Sequence, residues 1–143
     1  MPARKSTPLQ AVPSPVTELD PKTCQSILTS QSIGRMALTQ GNTVDIIVVR
    51  YVLTAGKIYF QSNPSDIFSS IVVSRQVVFE VDRAQEACIQ SVIVQGSAHW
   101  YPYDPDIDPL LLKQARVASG HTMQWVEIVP HTMSGRELTI KTE

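Results

Sequence analysis

The chain has 143 residues, with 12 Lys+Arg against 13 Asp+Glu and a formal net charge of −1. That length predicts one domain, or one domain and a tail, and the charge balance argues against a protein whose main work is holding nucleic acid, because phosphate neutralisation needs clustered positive charge. Hydrophobic residues make up 43% and charged residues 17%, which supplies a core and excludes disorder over the whole length.

The elements follow in chain order. Pro2, Pro8, Pro13, Pro15 and Pro21 are half of the ten prolines, so residues 1–17 read as a flexible, Pro-rich arm and 18–143 as the folded domain. The arm is either plainly disordered or draped over a partner. Arg4 and Lys5 are followed by no apolar stretch, so no signal peptide is expected. Nor does any run approach the roughly 20 apolar residues of a membrane span. Asp20-Pro21 reads as a helix cap and first-turn proline. Leu19 and Cys24 are placed to staple that start, and Cys24, Ile27 and Leu28 form an apolar stripe ending near Ser30 or Gln31. Cys24 and Cys88 are far apart and in no metal or redox spacing. They indicate no disulfide framework and make a reducing, cytoplasmic setting the expectation.

Ile33 to Thr39 reads as a strand, turned by Gly41-Asn42, and Val44 to Leu53 as a second. Ile46 and Val48 stand on one side of the second strand and Ile47 and Val49 on the other, which predicts a strand buried on both faces. Thr54-Ala55-Gly56 is a hairpin turn into a third strand, Lys57 to Ser62. Asn63-Pro64-Ser65-Asp66 starts a second helix that buries Ile67, Phe68, Ile71 and Val72. Strands follow at Gln76–Asp82 and Ile89–Trp100, with a bulge or bend expected at Gly96. Asp108-Pro109 caps another helix, whose apolar face is Leu111, Leu112, Ala115 and Ala118. Trp125–Val129 is a strand, Met133-Ser134-Gly135 a turn, and Arg136–Lys141 a closing strand. The pattern gives an α+β fold with a mainly antiparallel barrel and two or three flanking helices.

Motifs for known chemistry are few. His99, His121 and His131 have neither the helical nor the strand spacing of metal ligands, so no metal site is assigned. Asp104-Pro105-Asp106-Ile107-Asp108 resembles the opening of a calcium loop, but Pro109 falls where Gly is needed and Ala115 where the bidentate Glu is needed. It reads as a solvated loop ending in a helix cap. No nucleophile elbow or phosphate-cradling glycine loop occurs, and no catalytic side chain is assigned. The junction of the third strand with the second helix, Ile58 to Phe68, is a natural anion site, because free N–H groups and the helix dipole meet there.

Several of these pieces carry a family resemblance. Ile27 to Ala37, containing Ile33-Gly34-Arg35-Met36-Ala37, resembles the "IGRLA" opening of small bacterial members of the pyridoxamine 5′-phosphate oxidase-like family, the FMN-binding split-barrel superfamily. Val49-Arg50-Tyr51 is similar to the family's "V-N-Y", Ile58-Tyr59-Phe60 to its "I-x-F-R-T", and Val77 to Asp82 to its "V-x-F-E-V-D". Trp125 to Pro130 followed by Gly135-Arg136 is similar to "W-V-x-I-x-P…G-R". The resemblance covers roughly residues 20 to 140. It implies a six-stranded split β-barrel and a homodimer. It also implies a small-molecule ligand and a flavin, FMN or in some relatives a deazaflavin, in a groove between subunits. The outer face of the second strand would then meet the partner.

Carried over by position, the resemblance names Val49, Arg50, Tyr51, Gln61, Ser62, Gln95, Trp125 and Arg136 as cofactor-binding. The chain departs from the family at the flavin phosphate. Ser62 matches, but Gln61 stands where Arg is expected, Asp66 where Thr is common, Ile67 where Lys belongs, and Gln95 where relatives have Arg. Each charge near a phosphate is worth on the order of 1 to 4 kcal/mol. Two readings therefore stay open. One is an FMN-binding oxidoreductase acting on a small molecule. The other is a non-catalytic split barrel that has lost the flavin phosphate site. Arg50, a cation on an apolar strand, either supplies charge to an anion in the groove or pairs with Asp45 or Glu80 of either subunit.

Overall fold

A computed structural model describes residues 14–63, 75–117 and 123–140. Seven strands and two helices lie in them: β1 (Val16–Glu18), α1 (Pro21–Ser30), β2 (Ile33–Gln40), β3 (Thr43–Thr54), β4 (Lys57–Ser62), β5 (Arg75–Ala84), β6 (Cys88–Tyr101), α2 (Pro109–Ala115) and β7 (Gln124–Thr139). The helix expected after Asn63, with Asp66 and Ile67, lies outside the described residues, as do Ala118 and His121. Among the described residues no helix is long and apolar enough to cross a membrane.

Both helices begin as their capping chemistry dictates. The Asp20 side chain accepts the Thr23 N–H at 2.8 Å, and Pro21 opens α1 without wasting a donor. Hydrogen bonds from Thr23 hold the Asp20 carboxyl below its ordinary range. A depressed folded value means that this contribution is present above the unfolded carboxyl's pKa and is lost as pH falls through the folded one. Asp108 likewise accepts the Leu110 N–H at 2.9 Å at the head of α2.

The strands pair antiparallel in the order β1-β7-β4-β3-β2-β5-β6, and β6 returns to pair with β7. Six long strands thus close a barrel, and β1 adds itself to the far half of β7, where Val16 faces Leu138 and Glu18 faces Arg136. The arm expected over residues 1–17 therefore has its last residues in a ladder, while residues 1–13 lie outside the described residues. Inward positions alternate along each strand: Met36 and Leu38, Tyr51, Ile58 and Phe60, Val77, Phe79 and Val81, Val92 and Val94, Val126 and Ile128 are all buried. Cys24, Ile27 and Leu28 of α1 join the same cluster. The Tyr51 hydroxyl donates to the Leu28 carbonyl at 2.5 Å, and burial pushes its pKa up. The Cys24 and Cys88 thiols are both free.

A second, smaller cluster lies on the outer face of β3, β4 and β7. Val52, Tyr59 and Trp125 meet Ala115 of α2, with Leu111, Leu112, Ile107 and Tyr101 around them. Here the sheet is covered on both sides.

Two expectations need correction. The second strand is not buried on both faces within the chain: Val44 and Ile46 are each 65% exposed and Val48 68%. Cover from α2 reaches Val52 but not this half of β3. Nor is Met133-Ser134-Gly135 a turn before a separate closing strand, because β7 runs through it unbroken. Gly135 serves close approach instead. A Cβ there would lie 2.5 Å from Cys24 Sγ and 3.3 Å from Leu19, and the Gly135 carbonyl accepts the Leu19 N–H at 2.9 Å.

The β3–β4 hairpin turns on Ala55 (φ 51°) and Gly56 (φ 75°), both in the left-handed region that a two-residue hairpin of this hand demands. Ala55 has no side-chain chemistry to favour that region. Ala55→Asn is expected to stabilise the fold by about 0.5–1 kcal/mol, or roughly 2–5 °C in melting temperature, read by thermal circular dichroism.

Candidate functional site

A cavity of about 450 Å³ opens where β3 and β4 pass the segment after α2. Its β3 wall includes Val49 and Arg50, its β4 wall Gln61 and Ser62, and Val117 and Met123 close the far side. Four of the residues singled out by sequence, Val49, Arg50, Gln61 and Ser62, therefore meet in one place. Antiparallel pairing of β3 with β4, and of Ile33 with Arg50 across β2, brings them together. The volume is that of an ordinary small-molecule site.

Polarity in this cavity is sparse and directed. Among the described residues that line it, Arg50 is the one charged side chain. It is exposed and makes no ion pair among the described residues. Within the chain, Glu80 belongs instead to Arg35, whose guanidinium nitrogen lies 2.8 Å from Glu80 Oε1 and which also pairs with Asp82. Gln61 is half-buried, and its Oε1 accepts the Val117 N–H at 3.1 Å. With the amide oxygen so engaged, the group left to face the cavity is a neutral N–H donor. Ser62 is buried beside it and adds a hydroxyl.

The other four singled-out residues lie elsewhere. Tyr51 points into the barrel, at 2% exposure. Trp125 sits across the ladder from Gln61 but is 4% exposed in the second cluster. Its Nε1 donates to Asp104 Oδ1 at 2.9 Å, and the Arg116 guanidinium lies 5.7 Å from its ring centroid. Gln95 is exposed in a separate groove of about 360 Å³ with Ala37, Thr39 and Val44, accepting from Thr132 Oγ1 at 3.3 Å. Arg136 lines a third groove, about 330 Å³, between Val16, Ser91 and Leu138.

Sequence reasoning missed Ile33, Ile47, Val48, Val117 and Met123 as lining residues, whereas Asn63 falls in the Ile58–Phe68 junction read as an anion site. Ile33 was within reach, since hairpin register alone sets it opposite Arg50. Val117 and Met123 are brought in by tertiary packing and carry no local signal.

The most buried charged residue among the described residues lies outside the cavity. Glu127, 5% exposed on β7, accepts the Tyr59 hydroxyl at 2.6 Å and faces His99 Nε2 at 2.7 Å and Lys57 Nζ at 3.9 Å. These partners come from β4 and β6, the two strands on either side of β7 here, and burial, with the Glu127 hydrogen bond, pushes the Tyr59 hydroxyl pKa up. Such a group holds strands together, because removing one partner leaves a buried charge uncompensated. His131 contacts Ser97 Oγ at 3.2 Å. No cluster of His, Cys, Asp or Glu that could hold a metal ion occurs among the described residues.

Comparison with known proteins agrees with this architecture. The model of the family described as pyridoxamine 5′-phosphate oxidase matches residues 20–137. A Corynebacterium glutamicum protein bearing that family's name superposes with a TM-score of 0.72 at 24% identity, covering 92% of this chain and 99% of that one. An FAD-binding protein from Mycobacterium smegmatis gives 0.70 at 24% identity, over 87% of this chain and all of that one (100%). One from Mesorhizobium loti gives 0.65 at 21% identity, over 85% and 97%. No curated protein matches the sequence.

Proposed function

Because the chain belongs to the pyridoxamine 5′-phosphate oxidase family, we propose that it binds a flavin nucleotide, FMN or a close relative, in the β3–β4 cavity and acts there as an oxidoreductase on a small molecule. The observation that carries this reading is the convergence of Val49, Arg50, Gln61 and Ser62 on one cavity of about 450 Å³. Arg50 would meet the phosphate as a cation, with the Gln61 amide and the Ser62 hydroxyl as neutral donors. Ile33, Ile47 and Val117 would line the ring and exclude water from it. A bound flavin supplies the hydride chemistry, so no side chain need serve as acid or base. The FAD-binding neighbours from Mycobacterium smegmatis and Mesorhizobium loti support a flavin of some kind.

The reading includes a homodimer. Its support is the exposed apolar stripe of Val44, Ile46 and Val48, with Ile33 (52% exposed) beside it. Ile33 and Val48 also line the cavity, so a second copy seated on the stripe would complete the site. Ile46→Lys places a charge in that contact, and desolvating an unpaired charge costs several kcal/mol. The dimer dissociation constant should rise at least about a hundredfold in analytical ultracentrifugation, with flavin affinity falling alongside. The two free thiols support a reducing, cytoplasmic setting.

A second reading, a split barrel that binds a ligand without redox chemistry, is favoured by the occupied amide oxygen of Gln61 and by the single cation among the described lining residues. The deciding experiment is the visible spectrum of the purified protein, followed by titration with FMN and FAD. Flavin absorbance, or quenching of flavin fluorescence at micromolar protein, supports the first reading. Colourless protein that takes up neither flavin leaves the second.

A further inference from the structure

The Asp104–Asp108 run reads in the sequence as a solvated loop, yet Asp104 joins two elements with both carboxylate oxygens. Oδ1 accepts the indole N–H of Trp125 at 2.9 Å, and Oδ2 accepts from the Arg116 guanidinium at 3.0 Å. Arg116 is the C-cap of α2 and also lies over the Trp125 ring. The next residue, Val117, gives its N–H to Gln61 Oε1 and forms part of the cavity wall. Gln61 in turn is the ladder partner of Trp125. The contacts close a ring from Asp104 through Arg116, Val117, Gln61 and Trp125 back to Asp104.

We propose that Asp104 is a positioning residue: through Arg116 and Trp125 it fixes Val117 and the Gln61 amide as the wall of the β3–β4 cavity, and so sets how tightly that cavity holds its ligand. The backbone ties Arg116 to the end of α2, its N–H donating to the Leu112 carbonyl at 3.1 Å, but Val117 belongs to no helix or strand, and its N–H is held by the Gln61 side chain. The Asp104–Arg116 pair is exposed on both sides, at 60% and 46%. Such a pair contributes little to global stability, and its effect is felt in geometry. Misplacing a binding wall by an ångström costs affinity without unfolding anything. The consequence for flavin rests on the function proposed above, whereas the anchoring of Val117 does not.

Asp104→Ala separates the two, with Asp104→Asn beside it because Asn keeps an acceptor for the indole N–H and loses the charge. In protein without ligand, amide hydrogen exchange at Val117 should quicken about tenfold or more in Asp104→Ala, while the barrel amides keep their protection. FMN or FAD affinity should fall about tenfold, mainly through faster release. The melting temperature of Asp104→Ala should fall by about 3–5 °C, because the buried Trp125 indole N–H loses its acceptor. Asp104→Asn should lie between Asp104→Ala and the parent on both counts. Unchanged exchange at Val117 overturns the proposal, as does exchange that rises equally throughout the barrel. A released Val117 with undiminished flavin affinity overturns it too. If the parent protein binds neither flavin while Val117 responds as expected, the anchoring stands and the flavin reading falls.

Discussion

Arg50→Glu is expected to weaken flavin binding about a hundredfold or more. Two unit charges about 5 Å apart interact by roughly 1–3 kcal/mol at the effective dielectric of a partly exposed site. The substitution removes one attraction to a phosphate and adds one repulsion, a change of about 3 kcal/mol, and each 1.4 kcal/mol is tenfold in affinity. Arg50→Gln removes only the attraction and should cost about tenfold. The effect is specific to this position because Arg50 is the one charged residue among the described residues that line the cavity. The fold does not depend on it: its side chain is exposed and makes no ion pair among the described residues. Isothermal titration with FMN and FAD at two salt concentrations checks the claim. The parent's affinity should fall as salt rises, and the salt dependence of Arg50→Glu should be lost or reversed. Equal affinity in the parent and in Arg50→Glu would place the phosphate elsewhere.

Why the sequence led to Arg50 and not to the whole site comes down to parity and register. Val49, Arg50 and Tyr51 match the family pattern as a block, but successive residues of a strand point to opposite faces. Tyr51 goes into the barrel and Arg50 out of it. Gln61 and Trp125 stand opposite each other across a ladder, yet Trp125 is taken by Asp104 and α2, a contact that spans 21 residues of chain. Gln95 and Arg136 lie in other grooves of the same chain, and a dimer is what could bring such faces near the first cavity.

The fold itself was more legible, for local reasons. The caps at Asp20-Pro21 and Asp108-Pro109 are satisfied within three residues, so they are written where they act. The Lys57–Ser62 strand and its hairpin follow from a two-residue turn. Gly135 is a different case. A glycine between two apolar runs signals a turn when read locally, and only the packing of Leu19 and Cys24 against it reveals the need for space. The stripe Val44–Ile46–Val48 reads as buried because its composition is that of a buried strand, yet its three side chains stand exposed.

Gly96 is where a sequence signal and a tertiary constraint coincide, and it carries the largest expected effect on stability. A glycine inside a long strand marks a bulge or a close backbone approach, and at Gly96 both occur. Gly96 faces Pro130 while its neighbour Gln95 faces Thr132, so His131 is the extra residue of a β-bulge in the β6–β7 ladder. The bulge accommodates Pro130, which has no N–H to give to a regular ladder. A Cβ on Gly96 would run into the Val129 carbonyl and lie 3.0 Å from Pro130 Cα. These are backbone atoms of the strand that closes the barrel and cannot swing aside as a flexible side chain would. Gly96→Val should therefore cost about 3 kcal/mol or more, the upper end of overpacking, and lower the melting temperature by roughly 10 °C. Gly41→Ala provides the comparison, since Gly41 has positive φ but nothing within 4 Å of a built Cβ. It should cost only the conformational penalty of about 1 kcal/mol. Thermal denaturation followed by circular dichroism separates the two. Equal melting temperatures for Gly96→Val and Gly41→Ala would mean that the β6–β7 seam yields, and that the barrel is not closed by a rigid bulge at Gly96.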